Sequence, residues 1–163
     1  MTMATSRPAA SILARALAMA AIALPAIAGA AEYRVTAESP AVLYDAPSAK
    51  AKPLFVYGRD VPMEVLVTVE GWTKVRDSSG TIGWFAGKSL NERRVLLVRT
   101  GTADVRAKPE DAAPVVFRAE QDVLLELAEG ATSPATTGQP GWVKVRHRDG
   151  QTGFIRVNQV FGL

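Results

Sequence analysis

The chain has 163 residues, 48% of them hydrophobic, with 19 Lys and Arg against 16 Asp and Glu, one His and no Cys. The lack of cysteine excludes disulfides and lipid attachment through a cysteine, so stability must come from apolar cores. Arg7 and Arg15 are the only charges in residues 1–31, which leaves 17 basic and 16 acidic residues in the remainder. That near-neutral balance gives no support for nucleic acid or a membrane surface as partner.

Residues 1–31 read as an export signal. Ala16 to Ala31 is apolar throughout apart from Pro25 and Gly29, behind a basic start and ahead of a small-residue end at Ala28-Gly29-Ala30. The run has 16 residues, whereas a spanning helix needs about 20. Cleavage before Ala31 or Glu32 is expected, with no stable membrane span afterwards. The mature protein is then periplasmic or secreted.

From Ala41 onward the chain reads as short β runs broken by turn residues. Tyr44-Asp45-Ala46-Pro47 leads to Pro53-Leu54-Phe55-Val56, and Met63 to Val69 is β-branched and apolar. Trp72 to Arg76 and Thr81 to Phe85 form a hairpin around Asp77-Ser78-Ser79-Gly80, where Gly80 supplies the positive φ of a bulged turn. Gly83 lies inside the last strand, a place that marks a bend or bulge. The polar run Asn91 to Arg94 is taken as the boundary. Val95 to Val98 is too apolar for a free linker, and either adds a strand to one unit or packs between both.

The hairpin then returns. Gly71 to Phe85 and Gly141 to Ile155 agree at seven of fifteen positions, where chance gives roughly one, so the unit is duplicated. Val123 to Ala128 is a strand by analogy with Met63 to Val69, although its apolar run alone does not distinguish strand from helix. Tyr44 to Pro47 aligns with Val105 to Lys108 at an offset of 61, against 70 for the hairpins. The second copy therefore carries an insertion of about nine residues, placed at Gly130 to Pro140 as a mobile surface loop. The organisation is a signal over 1–31, a first unit over 32–92 and a second over 93–163. Units of about 60 residues are marginal alone, so the two are expected to pack together.

Strand alternation puts Trp72 on one face with Lys74 and Arg76, and Trp142 with Lys144 and Arg146. A Trp on a charged face is partly exposed unless something covers it, and it then stacks on sugar or peptide while the cations meet carboxylates. The bland alternative is that each Trp covers a barrel end or fills the seam between units. Phe85 and Ile155 point inward, with Trp84 and Phe154 at the rim. His147, the sole histidine, is a solvated turn residue. No cluster has metal-ligand spacing, and Ser78, Ser79 and Ser89 lack a base, so neither metal, cofactor nor enzyme activity is expected.

The pattern apolar-x-Ala-x-Pro, a strand, then Gly-Trp-x-Lys-Val-Arg and Gly-x-x-Gly-Trp/Phe resembles the bacterial SH3-like (SH3b) domain family, in particular exported two-copy proteins of proteobacteria. Both copies together cover nearly all of residues 38–163. The resemblance implies two tandem five-stranded SH3-like β-barrels, each with a 3₁₀ turn before its last strand, at Gly87 to Leu90 and Val157 to Val160. It implies a non-catalytic protein held to peptidoglycan or its peptides, and it gives Tyr44 a groove-lining position. Ala41 to Asp45 is similar to the start of eukaryotic SH3 domains, but Ala46 replaces an aromatic and the last turns lack the proline-recognition pair, which argues against polyproline binding. The candidate ligand-binding residues are Tyr44, Trp72, Arg76, Trp84, Trp142 and Arg146. An adaptor contacting another envelope protein is the alternative reading.

Overall fold

The computed structural model describes residues 31–128 and 140–163. Residues 1–30 of the export signal read over 1–31, and nearly all of the insertion at 130–140, lie outside the described residues.

The described chain is all-β, with fourteen strands and two 3₁₀ turns. The strands are β1 (Glu32–Thr36), β2 (Ala41–Tyr44), β3 (Pro53–Tyr57), β4 (Pro62–Val69), β5 (Trp72–Arg76), β6 (Ile82–Ala86) and β7 (Leu90–Asn91), then β8 (Val95–Val98), β9 (Thr102–Arg106), β10 (Val115–Glu120), β11 (Leu124–Leu127), β12 (Trp142–Arg146), β13 (Thr152–Arg156) and β14 (Val160–Phe161). They form two antiparallel sheets of identical topology, in the orders β3-β2-β6-β5-β4-β1-β7 and β10-β9-β13-β12-β11-β8-β14. Each sheet has seven strands where five were expected. The leading strand, β1 or β8, is an addition, while the two-residue strand after each 3₁₀ turn is the closing strand that the resemblance implied. Those turns span Gly87–Ser89 and Val157–Gln159, at the expected places.

Strand alternation selects the core. In β5 the side chains of Thr73 and Val75 are fully buried, and in β12 those of Val143 and Val145 are. Phe85 of β6 and Ile155 of β13 point inward as expected. One core gathers Leu43, Met63, Val75, Phe85 and Leu90. The other gathers Leu96, Val98, Val105, Leu125, Val143, Val145 and Ile155. Val95–Val98 is a fully buried strand of the second sheet, and Leu124–Leu127 is a strand rather than a helix. β1 is the strand the sequence did not reveal. It is short, and only Val35 and Thr36 of its five residues are buried.

Both hairpin turns close as predicted. Gly80 N donates to Asp77 O at 3.1 Å and Gly150 N to His147 O at 2.9 Å, with both glycines at φ 93°. Gly83 and Gly153 mark no bulge, because the β5–β6 and β12–β13 registers run unbroken. They mark close approach instead. A Cβ on Gly83 would stand 2.6 Å from Leu43 Cγ and 2.8 Å from the Tyr44 carbonyl oxygen. One on Gly153 would stand 2.7 Å from Val105 Cγ1 and 2.8 Å from the Arg106 carbonyl oxygen.

That pair of contacts corrects the alignment of the copies. Leu43 corresponds to Val105 and Tyr44 to Arg106, an offset of 62 rather than 61, which leaves eight inserted residues in the second unit. Loop bonds agree, since Ala51 N donates to Ser48 O and Ala113 N to Glu110 O.

The units touch. Tyr33 of β1 and Phe161 of β14 meet edge to face, with ring centroids 5.2 Å apart. Between the sheets, Arg93 donates to Asp60 at 2.7 Å and to Glu126 at 2.6 Å.

Candidate functional site

The first unit assembles an aromatic surface on the outer face of its sheet. Tyr44 of β2, Trp84 of β6 and Lys74 of β5 stand side by side, because Tyr44 pairs with Trp84 and Trp84 with Lys74 across the ladder. Trp72 shares that face two residues before Lys74, and the β4 bulge between Val65 and Val67 leaves the alternation of β5 intact. The Trp72 and Tyr44 rings meet at 87° with centroids 5.7 Å apart. Lys74 Nζ lies 5.8 Å from the centre of the Trp84 ring. All four side chains are half-buried. Rings of this kind offer flat faces to C–H-rich groups, and the ammonium offers a partner for a carboxylate.

Arg76, also a candidate from the sequence, is already engaged. Its Nε and Nη2 each donate to a Glu64 oxygen at 2.8 Å. The fork holds the Glu64 carboxyl below its usual range, hydrogen bonding being the largest cause. Arg76 therefore flanks the aromatic surface as half of a closed pair.

The second unit does not reproduce this surface. Trp142, for which the sequence left both an exposed and a covered reading open, is only 5% exposed. Its strand partner Arg156 lies over the indole, with Cζ 4.5 Å from the ring centroid. Arg106 stands where the first unit has Tyr44, bonded to Asp104 and to the Ala113 carbonyl, both at 2.8 Å. Arg146 is exposed and has no ion-pair partner among the described residues. Its cross-strand neighbour Glu126 is taken by Arg93. Of the six residues picked from sequence, the structure brings together Tyr44, Trp72 and Trp84. Arg76 stands nearby, while Trp142 and Arg146 belong to the other sheet.

Sequence reading passed over Asp111 and Arg156. Arg156 was within reach, since it follows Ile155 where the first copy has Ala86 after Phe85. His147 is half-buried rather than solvated, with Nδ1 2.9 Å from Asp149 and its ring against Phe117. With Arg148 it lines a cleft of about 440 Å³ between the units, opposite Asp60 and Arg93. Among the described residues no group of three His, Asp or Glu side chains is placed to hold a metal ion. None of the described helices is long and apolar enough to cross a membrane.

Two copies of one antiparallel β unit, each with a 3₁₀ turn before its closing strand, define a tandem β-domain protein. The bacterial SH3 domain family matches residues 37–92 and again residues 100–162, and the chain belongs to that family. Among solved structures it is similar to NlpC2 and NlpC1 from Trichomonas vaginalis, at 14% and 15% identity with TM-scores of 0.34 and 0.33. It is also similar to an NlpC/P60 family protein from Bacillus cereus, at 16% identity and a TM-score of 0.35. These matches cover 80% of this chain and 47%, 45% and 56% of the others, so the chain spans about half the length of the structures it matches. No curated protein matches it.

Proposed function

We propose that this is an exported, non-catalytic binding protein of the cell envelope that takes peptidoglycan or its peptides on the aromatic surface of its first unit. The observation that carries the reading is the convergence of Tyr44, Trp72 and Trp84 with Lys74 on one half-buried face. Rings plus a single cation suit a ligand that combines sugar or aliphatic C–H faces with free carboxylates, as cell-wall glycopeptides do. Membership of the bacterial SH3 domain family supports the same class of partner. The apolar run ahead of Glu32 supports export to a periplasmic or secreted location. The reading assigns no cofactor and no chemistry to the chain. Co-sedimentation with purified peptidoglycan sacculi tests it: the wild type is expected in the pellet, and the Trp72→Ala, Trp84→Ala protein in the supernatant.

A second reading, an adaptor for another envelope protein, is favoured by the edge strand β3. Phe55 and Val56 there are 53% and 65% exposed, and no charged residue interrupts the strand. An open apolar edge accepts a partner's strand. Crosslinking that captures a partner equally well with Trp72→Ala would favour it.

A further inference from the structure

The aromatic surface of the first unit does not stop at β5. In the β4–β5 ladder Val67 pairs with Lys74 and Val69 with Trp72, and directly paired residues share a face of the sheet. Two rows therefore cross the strands on that face, one of Tyr44, Trp84, Lys74 and Val67, the other of Ala86, Trp72 and Val69. Val67 and Val69 are each 43% exposed. Exposed valines standing singly need no explanation, but these two continue a patch that already holds three rings. The longer row covers three strand spacings of about 4.8 Å, about 14 Å in all. Its cation, Lys74, forms no ion pair among the described residues. At 5.8 Å from the Trp84 centroid the ammonium sits near the outer limit of cation–π contact, so a carboxylate draws it away at little cost. In the second unit the row begins with Arg106, Phe154 and Lys144, and Arg156, beside Trp142, donates to Asp111 at 3.2 Å. Guanidinium groups stand there in place of ring faces.

We infer that Val67 and Val69 are the peptide half of this site, so that the ligand is a glycopeptide laid across the strands with its sugar on the rings and its peptide on the valines. The inference rests on the aromatic surface of the first unit being the binding face. Flat indole and phenol rings match the C–H face of a pyranose. Valine methyls have no flat face, and match small alkyl side chains such as alanine through burial alone. Lys74 stands between the two halves, where it meets a carboxylate near the start of the peptide. A bare sugar uses the rings alone, and a bare peptide the valines and the ammonium, so neither fills the row.

Two soluble probes test this, a peptidoglycan disaccharide carrying its stem peptide and the same disaccharide with the peptide removed. The wild type is expected to bind both, the peptide-bearing probe more tightly. The methyl signals of Val67 and Val69 should move with the peptide-bearing probe and stay still with the bare disaccharide, while the indole signals of Trp72 and Trp84 move with both. Val67→Ser with Val69→Ser should weaken the peptide-bearing probe roughly fivefold and leave the bare disaccharide unchanged, with a melting curve as the check on folding. Trp84→Ala should weaken both. Valine methyls that move with both probes or with neither would overturn the peptide half while leaving the binding face in place. So would a folded serine variant that loses both probes alike or keeps both. Should that variant not fold, the methyl signals of the wild type decide. Neither probe bound by the wild type, or both bound unaltered by Trp84→Ala, would instead overturn the binding face itself, and the peptide half with it.

Discussion

Tyr44 stands edge-on to Trp72, with ring centroids 5.7 Å apart and planes at 87°. This contact joins β2 to β5 across β6 and fixes both rings in the surface assigned to ligand. An edge-to-face pair contributes about 0.5–1.5 kcal/mol beyond its burial. Tyr44→Ala should therefore loosen Trp72 without unfolding the unit. Its affinity for peptidoglycan fragments should fall roughly tenfold, about 1.4 kcal/mol, while Tyr44→Phe keeps the affinity. Calorimetry with both variants decides between ring packing and a role for the hydroxyl.

Acid should attack the first hairpin turn. Asp77 accepts from Ser79 N and Thr81 N at 2.9 and 2.8 Å and from the Tyr57 hydroxyl at 2.8 Å. Burial pushes its carboxyl up, but the bonds from Ser79, Tyr57 and the backbone amides outweigh it, and the net shift is downward. A depressed folded value means the stabilisation is complete above the ordinary carboxylate range, near pH 4. It is lost as pH falls through the lower folded value. Asp77→Asn should flatten that acid limb in a melting-temperature profile. An unchanged limb would place the acid sensitivity elsewhere.

Alkali gives the complementary signature at the same bond. Burial is the largest cause raising the Tyr57 phenol above its ordinary value, and the Asp77 hydrogen bond adds to it. A raised folded value makes this contribution complete below about pH 10 and lost as pH climbs through the folded value. Spectrophotometric titration should show two tyrosines ionising late, because burial raises Tyr33 as well, with Tyr57 the later of them. Tyr57→Phe should remove the later one and leave Tyr33.

Gly83→Ala tests the packing beneath the site. The added methyl would stand 2.6 Å from Leu43 Cγ and 2.8 Å from the Tyr44 carbonyl oxygen, where backbone cannot yield cheaply. A loss of about 1–3 kcal/mol is expected from overpacking, read by denaturant unfolding. Gly153→Ala should cost a similar amount, because it meets Val105 and Arg106 in the same way.

Arg93 bridges Asp60 and Glu126 with side chains that remain partly exposed. Arg93→Ala should cost under about 1 kcal/mol, and less in high salt. Its clearer effect should be a wider spread of distances between labels on the two units. An unaltered spread would mean that other contacts, such as Tyr33 with Phe161, hold the units in place without it.

Much of the fold was legible because the local signals agreed. In each hairpin, turn glycines, alternation and the repeated Gly-Trp-x-Lys-Val-Arg all point to the same two strands, and the buried Thr73, Val75, Val143 and Val145 follow from parity. The register between the early halves of the copies was not legible. Ala46 set against Ala107 and Pro47 set against Pro109 differ by one residue, and a one-residue slip moves every side chain to the opposite face. That slip hid the correspondence of Tyr44 with Arg106 and of Ala49 with Asp111. The choice between an exposed and a covered Trp142 was left open for a related reason. Arg156 of the facing strand lies against its ring, and parity reports only which face a residue occupies, not what lies across it. The aromatic surface was legible by position, but its membership was not, since Arg76 proved to be held by Glu64.

The most direct measurement is a titration of the full chain with soluble peptidoglycan fragments, observed at the indole N–H signals of Trp72 and Trp84. The account predicts that both move together and saturate with one affinity, and that Lys74→Ala weakens it. If neither indole moves while fragments bind, or if only residues of the β3 edge respond, the aromatic surface is not the binding face.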